Sequence, residues 1–485
     1  MCDETDRPLG GVSGAGQRPR TWARALGLVV LAALSIAAVA AASASVAAIP
    51  SPGHADRGSG LAAPLQNVVR PEASAHAAEG SSTTTTQPLG RSVSYQAAAV
   101  AGGRAIPPLA VALHTSPSST LTTTTIHTPT SGVGSGAFVG RKGTLLTYEG
   151  APFRLIGINA PQLATYYPVN GGCGAQIDPA AFFASLPPHM AVGVGFQQDE
   201  TVNATTGARD WRGLDRVVQA AEQSPTRPLL VVSLANQGGI CDANVWKGSA
   251  WYTSGYRTPQ NDLDNTPRQS YLDYMQSVVA RYRDSPAIAM WEPVGEPEAS
   301  DCLPGYVGPQ CYGHGTCPAD AASVLRQFFD TVGERIHAID PNHLVGDGVL
   351  GGTQCGWTGP GPALVDGSPG IDVLTYHDYT AETAPPVPPA LNERLTLASE
   401  LGKPLVIGEV GMDAGTAPGC ASKAERAQEM TAKLSADVSV GLAGFMLWAY
   451  GGAPSQLPGC DYYLMDDDPT MTLLRGSAGD MWPGR

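Results

Sequence analysis

Short apolar runs alternate with longer amphipathic segments through most of the chain, from about residue 136 onward. The runs have the length and continuous apolar character of strands that are covered on both faces, and the segments between them carry apolar residues at helical spacing. Eight runs follow in order: 153–159, 191–196, 229–234, 287–292, 343–345, 374–379, 404–410 and 444–450. The pattern predicts an α/β fold, a (β/α)8 TIM barrel, in which functional side chains gather at the C-terminal ends of the strands.

The first 49 residues have the pattern of an export segment. Arg18, Arg20 and Arg24 precede an apolar run from 25 to 49 that contains small residues at 42–44. A positive flank, an apolar centre and small residues are typical of a signal peptide, while the length of the run also suits an uncleaved membrane anchor. Both interpretations predict a secreted or cell-surface-anchored, extracytoplasmic protein.

Residues 50–135 are rich in Ala, Ser, Thr, Pro and Gly, with Ser/Thr tracts at 81–86 and 122–125. Because apolar residues recur there at no usable period, we interpret this segment as a disordered or extended linker. A small β domain built on 92–95 and 109–113 is the alternative. The folded domain is then predicted at 136–485.

The charge balance narrows the classes of partner. The 485 residues carry a formal net charge of -14, which disfavours nucleic acid because phosphates attract clustered Lys and Arg. A neutral polymer such as a polysaccharide fits better, and some of the eight Trp and sixteen Tyr side chains are able to stack on sugars. The sequence predicts no cofactor and a monomer.

Nine cysteines are present, and eight remain once Cys2, ahead of the apolar run, is set aside. An even number beyond an export segment predicts up to four disulfides, with their pairing open. Cys302, Cys311 and Cys317 lie close together after the 287–298 segment, so at least one bridge is expected to fasten that loop. No Cys-x-x-Cys occurs, so no metal site is predicted.

Two of the apolar runs end in carboxylates. The stretch 287–298 reads Ala-Ile-Ala-Met-Trp-Glu-Pro-Val-Gly-Glu-Pro-Glu, and its prolines prevent the strand from continuing, so Glu296 lies just past a strand end. The stretch 404–411 places Glu409 in the same way, between glycines. Because a barrel brings both ends to one face, the pair indicates acid/base or nucleophilic chemistry at a shared site. Two glutamates in loop salt bridges are the alternative.

Four segments resemble glycoside hydrolase family 5, the cellulase and β-mannanase family, in the family's own order. Trp291-Glu-Pro-Val-Gly-Glu-Pro297 is similar to the Trp-Glu-x-x-Asn-Glu-Pro signature of the acid/base, and Ile-Gly-Glu-Val-Gly at 407–411 to the nucleophile strand. His377-Asp-Tyr379 resembles the His-x-Tyr strand between them, and 444–450 the last strand with its sugar-stacking Trp448.

The resemblance implies a retaining hydrolase of β-1,4-linked polysaccharide, with Glu296 as acid/base and Glu409 as nucleophile. It makes Glu292, on the same strand as Glu296, a structural carboxylate of the barrel interior. Glu298 and Asp301 are interpreted as solvated loop charges. The expected substrate-binding residues are His377, Tyr379, Trp448, Asn159 and Trp251. For His377, a buried histidine with only a structural role is the alternative.

Two positions depart from the family pattern. Gly295 stands where the family usually has an Asn that bonds the sugar 2-hydroxyl, and Gly193 lies in the stretch where it usually has an Arg near the nucleophile. Loss of these groups would weaken transition-state stabilisation and make Glu409 easier to protonate. A glycan-binding barrel with weakened catalysis is therefore the alternative function. Mannan is favoured over glucan because 182–196, 235–237 and the Trp251 loop look more like the mannanase branch.

Overall fold

The computed structural model describes residues 138–261, 267–380, 387–451 and 460–483. The predicted export segment at 1–49 and the predicted linker at 50–135 lie outside these residues. Within the described ranges, no helix combines the length and the apolar character needed to cross a membrane.

A short antiparallel sheet precedes the barrel. It consists of β1 (Gly140–Lys142), β2 (Leu145–Tyr148) and β3 (Ala151–Phe153). The rings of Tyr148 and Phe153 contact Trp482, near the other end of the described chain, with centroids 6.2 and 5.0 Å apart. Since β3 leads directly into the first barrel strand, this sheet covers the N-terminal end of the barrel.

The remaining strands are β4 (Leu155–Asn159), β5 (Ala191–Gly195), β6 (Leu229–Ser233), β7 (Gln260–Asn261), β8 (Pro267–Arg268), β9 (Ile288–Glu292), β10 (Asp301–Cys302), β11 (Gly315–Thr316), β12 (Leu344–Val345), β13 (Leu374–Asp378), β14 (Leu405–Val410), β15 (Ala414–Gly415), β16 (Gly444–Leu447) and β17 (Cys460–Asp461). Eight of them form one parallel sheet in the order β12-β9-β6-β5-β4-β16-β14-β13. Their side chains are almost entirely buried, which explains the continuous apolar runs.

The two edge strands of this sheet meet and close the barrel. A parallel bridge joins Gly346, just after β12, to Val373, just before β13. Asp372 and Val373 both donate backbone hydrogen bonds to the carbonyl of Val345, at 2.7 and 3.1 Å. The (β/α)8 fold predicted from the alternating pattern is therefore confirmed.

The α-helices of the described residues pack around the sheet by one apolar face each. They are α1 (Pro179–Ser185), α2 (Arg212–Gln223), α3 (Ser249–Thr253), α4 (Tyr271–Tyr282), α5 (Ala321–Ile339), α6 (Gly361–Asp366), α7 (Pro389–Leu401), α8 (Lys423–Ser439) and α9 (Thr470–Gly476). Short 3-10 turns occur at Gln198–Thr201, Gly255–Arg257, Gly308–Cys311 and Ser477–Gly479. The apolar stripe of α5 is buried, from Leu325 through Phe328 and Val332 to Ile336.

Local capping signals explain where two helices begin. A capping box begins α8: Ser422 accepts from the Glu425 N–H, and Glu425 accepts from the Ser422 N–H. Pro267 does not begin α4, because Pro267–Arg268 pairs as strand β8. Ser270 is the actual cap and accepts from the N–H of Asp273 at 3.1 Å.

Four disulfides link the eight cysteines that follow Cys2, as their even number predicts. The pairs are Cys173–Cys241, Cys302–Cys311, Cys317–Cys355 and Cys420–Cys460. Two of these pairs fasten the loop after β9, where the sequence predicted at least one. The loop that follows Glu296 is therefore anchored both to itself and to the loop after β12.

Candidate active site

A β-bulge aligns His377 with Glu409 on neighbouring strands. The pairing of β13 with β14 skips Gly408, so that the Cα partner of Glu409 is His377 rather than Asp378. Asp378 lies instead on the helix side of the sheet, in a buried ion pair of 2.6 Å with Lys433 of α8. Since a one-residue shift exchanges the two faces of a strand, the bulge decides that Glu409 meets His377 inside the barrel mouth.

Glu296, His377 and Glu409 meet at this mouth. Nδ1 of His377 lies 2.9 Å from Oε1 of Glu296 and 3.4 Å from Oε2 of Glu409. One carboxylate oxygen of each glutamate and a nitrogen of His377 all lie within 4.8 Å of one another. The hydroxyl of Tyr379 donates to Oε2 of Glu409 at 2.5 Å. The two glutamates predicted from separate strand ends therefore form one site.

The backbone of Glu296 is held in an uncommon conformation. Its φ of 56° lies in the left-handed region, which costs about 1–3 kcal/mol for a non-glycine residue and persists only where the surroundings enforce it. The Glu296 N–H donates to the carbonyl of Gly348 at 2.7 Å, and its carbonyl accepts from Nε2 of Gln354 at 2.8 Å. The loop after β12 therefore holds the orientation of Glu296.

The charged groups at the site shift one another's pKa values. Burial raises the pKa of Glu409 to about 7, while the charge of His377 and the hydrogen bond from Tyr379 oppose that rise. Burial alone would lower the pKa of His377, but Glu409 and Glu296 together raise it to about 9. His377 is therefore an imidazolium at neutral pH and donates from Nδ1 toward the carboxylate pair.

Two neighbouring glutamates have separate roles. Glu292 lies inside the barrel, accepts from Oγ of Ser233 at 3.4 Å, and burial raises its pKa to about 7. Glu298 was expected to be a solvated loop charge, and this is wrong: it accepts from Oγ of Ser300 at 2.8 Å and from the N–H of Cys355 at 3.4 Å. Glu298 therefore joins the wall of the site, whereas Asp301 is exposed.

Asn159 is buried, and its amide is occupied by backbone groups. Its Nδ2 donates to the carbonyls of Gly408 at 2.9 Å and Leu447 at 3.3 Å. Its Oδ1 lies 1.9 Å from where a Cβ on Gly193 would stand. The side chain of Asn159 therefore fills the space next to Gly193 and positions the Glu409 strand, rather than offering its amide to a sugar as expected.

Trp448 and Trp251, the two tryptophans predicted to bind substrate, lie in different environments in the structure. Trp448 follows β16 directly, is half-buried, and donates its backbone N–H to the carbonyl of Val410, in the Glu409 strand, at 2.8 Å. Trp251 is only 5% exposed, and its ring packs against neighbouring rings, with Phe328 at 5.7 Å. The expectation that Trp251 binds substrate is therefore wrong, because other aromatic side chains already cover its faces.

Tyr312 belongs to the site, although the sequence pattern did not single it out. Its hydroxyl accepts from the N–H of Gly238 at 3.2 Å, and its ring packs edge-on against Trp246 at 5.0 Å. Burial, together with the charges of Glu296 and other carboxylates, raises its pKa well above the ordinary tyrosine value. Its position next to Cys311, in a loop expected to be disulfide-bonded, was the available signal.

A (β/α)8 barrel with two glutamates facing each other at its C-terminal mouth is the architecture of the glycoside hydrolase barrels that the four motifs resemble. No family model matches the chain. Individual relatives do match, both by sequence and by fold.

The relatives found by sequence are mannan endo-1,4-β-mannosidases. The chain is 32% identical over 168 residues to mannan endo-1,4-β-mannosidase A of Hypocrea jecorina, covering 33% of this chain and 32% of the relative. It is 28% identical over 278 residues to mannan endo-1,4-β-mannosidase F of Aspergillus fumigatus, covering 53% and 55%. The chain thus spans between about a third and just over half of the length of these two relatives.

The fold is shared with solved mannanases. The structure aligns with the endo-1,4-β-mannanase of Rhizomucor miehei with a TM-score of 0.52 at 19% identity, over 71% of this chain and 99% of the other. It aligns with the endo-β-1,4-mannanase of Thermotoga petrophila with a TM-score of 0.50 at 17% identity, over 69% and 78%. These matches confirm the barrel fold, and the relatives confirm the resemblance to a mannanase-like family.

Proposed function

We propose that this chain hydrolyses β-1,4-linked mannan with retention of configuration at the anomeric carbon. The observation that carries the proposal is the separation of the two glutamates: carboxylate oxygens of Glu296 and Glu409 lie within 4.8 Å of each other. Retaining enzymes place their carboxyl groups about 5–5.5 Å apart, whereas inverting enzymes need about 6.5–9.5 Å to admit a water molecule. The spacing thus favours direct attack by one glutamate.

In the first step, a carboxylate oxygen of Glu409 attacks the anomeric carbon while the bond to the leaving oxygen breaks. Glu296 gives its proton to that oxygen, and a glycosyl ester forms on Glu409. In the second step, Glu296 takes a proton from water, the water oxygen attacks the same carbon, and the Glu409 carboxylate leaves. The hydrogen bond from Tyr379 steadies Glu409 as an anion before attack and after release.

His377 supplies the positive charge that an Arg would provide in the stretch that contains Gly193. No side chain extends from Gly193, and Asn159 occupies the adjoining space. The imidazolium of His377 lies 3.4 Å from Oε2 of Glu409 and 2.9 Å from Oε1 of Glu296. The opposite charge beside Glu409 favours the ionised carboxylate that the nucleophile requires, while the shorter contact with Glu296 opposes protonation of the acid and is expected to lengthen when Glu296 carries its proton. This arrangement favours catalysis over the alternative of a glycan-binding barrel with weakened turnover.

The substrate class follows from the relatives and from the charge. The relatives are mannan endo-1,4-β-mannosidases, and the formal net charge of -14 suits a neutral polymer. Trp448, beside the Glu409 strand, offers a half-buried aromatic ring for stacking on a sugar. Glucan remains the competing substrate.

Release of reducing ends from mannan, glucomannan, xylan and soluble cellulose tests the function. Release from mannan is expected, with a loss of about 10²- to 10⁴-fold in Glu296→Gln and Glu409→Gln. Glu149→Gln is the matched control, since Glu149 pairs with Arg227 on the surface at the opposite end of the barrel. Proton NMR identifies the anomer that forms first, which shows whether the configuration is retained. Binding of mannan without hydrolysis would establish the glycan-binding alternative.

Export is the second part of the proposal. Four disulfides in the described part are typical of an oxidising compartment, and the apolar run at 25–49 follows three arginines. Fractionation of expressing cells should find the protein outside the cytoplasm, and sequencing of its N-terminus should distinguish cleavage from anchoring. Recovery of reduced protein from the cytoplasm alone would contradict export.

A further inference from the structure

The residue before Glu296 is Gly295, which has no side chain. Neighbouring segments line the site next to it. The carbonyl of Gly295 accepts from the N–H of Gln237 at 3.0 Å, and its N–H donates to Ala235 at 2.8 Å. The segment 235–238 therefore runs alongside Gly295. A side chain that packs against this segment is therefore next to the residue that precedes Glu296.

The side chain of Tyr312 packs against this segment. Its ring covers Gly238, where an added Cβ would stand 2.8 Å from Cε2 of Tyr312, and its hydroxyl accepts from the Gly238 N–H at 3.2 Å. That bond uses a lone pair of the hydroxyl oxygen and leaves its proton free to be donated. Among the described residues, no acceptor within hydrogen-bond distance takes this proton. The side chain is partly exposed at the site.

The position of Tyr312 is held from two sides. Its chain neighbour Cys311 is bonded to Cys302, and Cys317 further along the loop is bonded to Cys355. Trp246 packs edge-on against the ring and donates its own Nε1–H to the carbonyl of Ser300 at 2.8 Å. The hydroxyl is therefore preorganised before a substrate arrives.

We propose that Tyr312 is a substrate-binding residue of this site, whose phenol donates a hydrogen bond to the sugar hydroxyl next to the anomeric carbon. The inference rests on the proposed glycosidase function. Hydrogen bonds to that 2-hydroxyl strengthen as the oxocarbenium-like transition state forms, so the bond lowers the barrier more than it tightens binding. Burial and the surrounding carboxylates keep the phenol protonated, because they raise its pKa well above the ordinary value.

The test removes the Tyr312 hydroxyl from the enzyme and, separately, the 2-hydroxyl from the substrate. Tyr312→Phe keeps the ring against Trp246 and should lower kcat on an aryl β-mannobioside by about 10- to 100-fold, with a smaller change in KM. On the analogue that lacks the 2-hydroxyl on the reacting ring, wild type and variant should react at equal rates. Tyr306→Phe is the matched control on the same loop, because its side chain is exposed and stacks on His314. Equal losses on both substrates would overturn the proposal.

A binding measurement separates failure of this inference from failure of the proposed function. Mannobiose binding is compared by calorimetry in Glu296→Gln with and without Tyr312→Phe, using the natural sugar and its 2-deoxy analogue. A loss of affinity confined to the natural sugar supports the contact with Tyr312 even if wild type hydrolyses nothing. Equal affinities in the two proteins, together with an unchanged kcat in Tyr312→Phe, would exclude the contact. Thermal unfolding of each variant checks that the loss of the Gly238 bond leaves the fold intact.

Discussion

The side-chain amide of Asn159 donates a hydrogen bond of 2.9 Å to the carbonyl of Gly408, the residue immediately before Glu409. The same amide donates to the carbonyl of Leu447 at 3.3 Å. One side chain on β4 thus joins the ends of β14 and β16. Because Gly408 is the bulged residue, this contact holds the irregularity that directs Glu409 toward His377.

Asn159→Ala should therefore damage catalysis without removing any group from the proposed reaction. Two buried carbonyls lose a partner, at a cost of about 1–3 kcal/mol in the free energy of unfolding. Because Glu409 then moves relative to the sugar, kcat should fall by about 10- to 100-fold. Asn342→Ala is the control, since Asn342 makes the same kind of bond, at 3.0 Å to Arg283, at the other end of the barrel. An unchanged kcat in Asn159→Ala would refute the positioning role.

The pH dependence should report the charge of His377. Glu409 must be ionised to attack, and its pKa of about 7 predicts that kcat/KM falls as the pH is lowered through that value. His377→Gln removes the charge that favours ionisation, so the acid limb should move to higher pH, by about one unit. His337→Gln, which alters the pair between His337 on α5 and Asp372, should leave the limb in place. A shift to lower pH in His377→Gln would contradict this role.

Tyr379→Phe removes the hydrogen bond of 2.5 Å to Glu409 and keeps the ring. The carboxylate then loses a donor in both the attacking and the leaving state, so kcat should fall by about 10²-fold while KM changes less. Single-turnover rates on an aryl mannoside measure this loss directly. Tyr148→Phe serves as the comparison, because its hydroxyl contacts Arg227 at the N-terminal end of the barrel. Equal rates for the two variants would exclude Tyr379 from the chemistry.

The two tryptophans should respond in opposite ways to replacement. Trp448→Ala should raise KM for mannan about 5- to 10-fold at nearly unchanged stability, since it removes an aromatic face worth about 1 kcal/mol. Trp251→Ala should lower the free energy of unfolding by about 3–5 kcal/mol, because it leaves a cavity among buried rings. Urea unfolding and steady-state kinetics of both variants distinguish these roles. A large stability loss in Trp448→Ala with unchanged KM would remove it from the proposed site.

The sequence was sufficient for the architecture and for the two glutamates. Continuous apolar runs separated by amphipathic segments predict a parallel sheet, because such strands must be covered on both faces, and eight of them suit a closed barrel. Prolines and glycines then mark where each run ends, so Glu296 and Glu409 were placed at strand ends without a structure. The disulfide count followed from an even number of cysteines, although the pairing did not.

Tertiary contacts decided how those residues act. The bulge at Gly408 and the left-handed backbone of Glu296 depend on partners distant in the chain, Asn159 and Gly348, so no local pattern encodes them. The expectation that Trp251 binds substrate failed because its burial depends on which distant segments pack against it. Tyr312 lies over Gly238 in a loop that two disulfides fasten, and that position depends on residues distant in the chain. Strand ends are set by neighbouring residues, whereas side-chain environments are set by long-range packing.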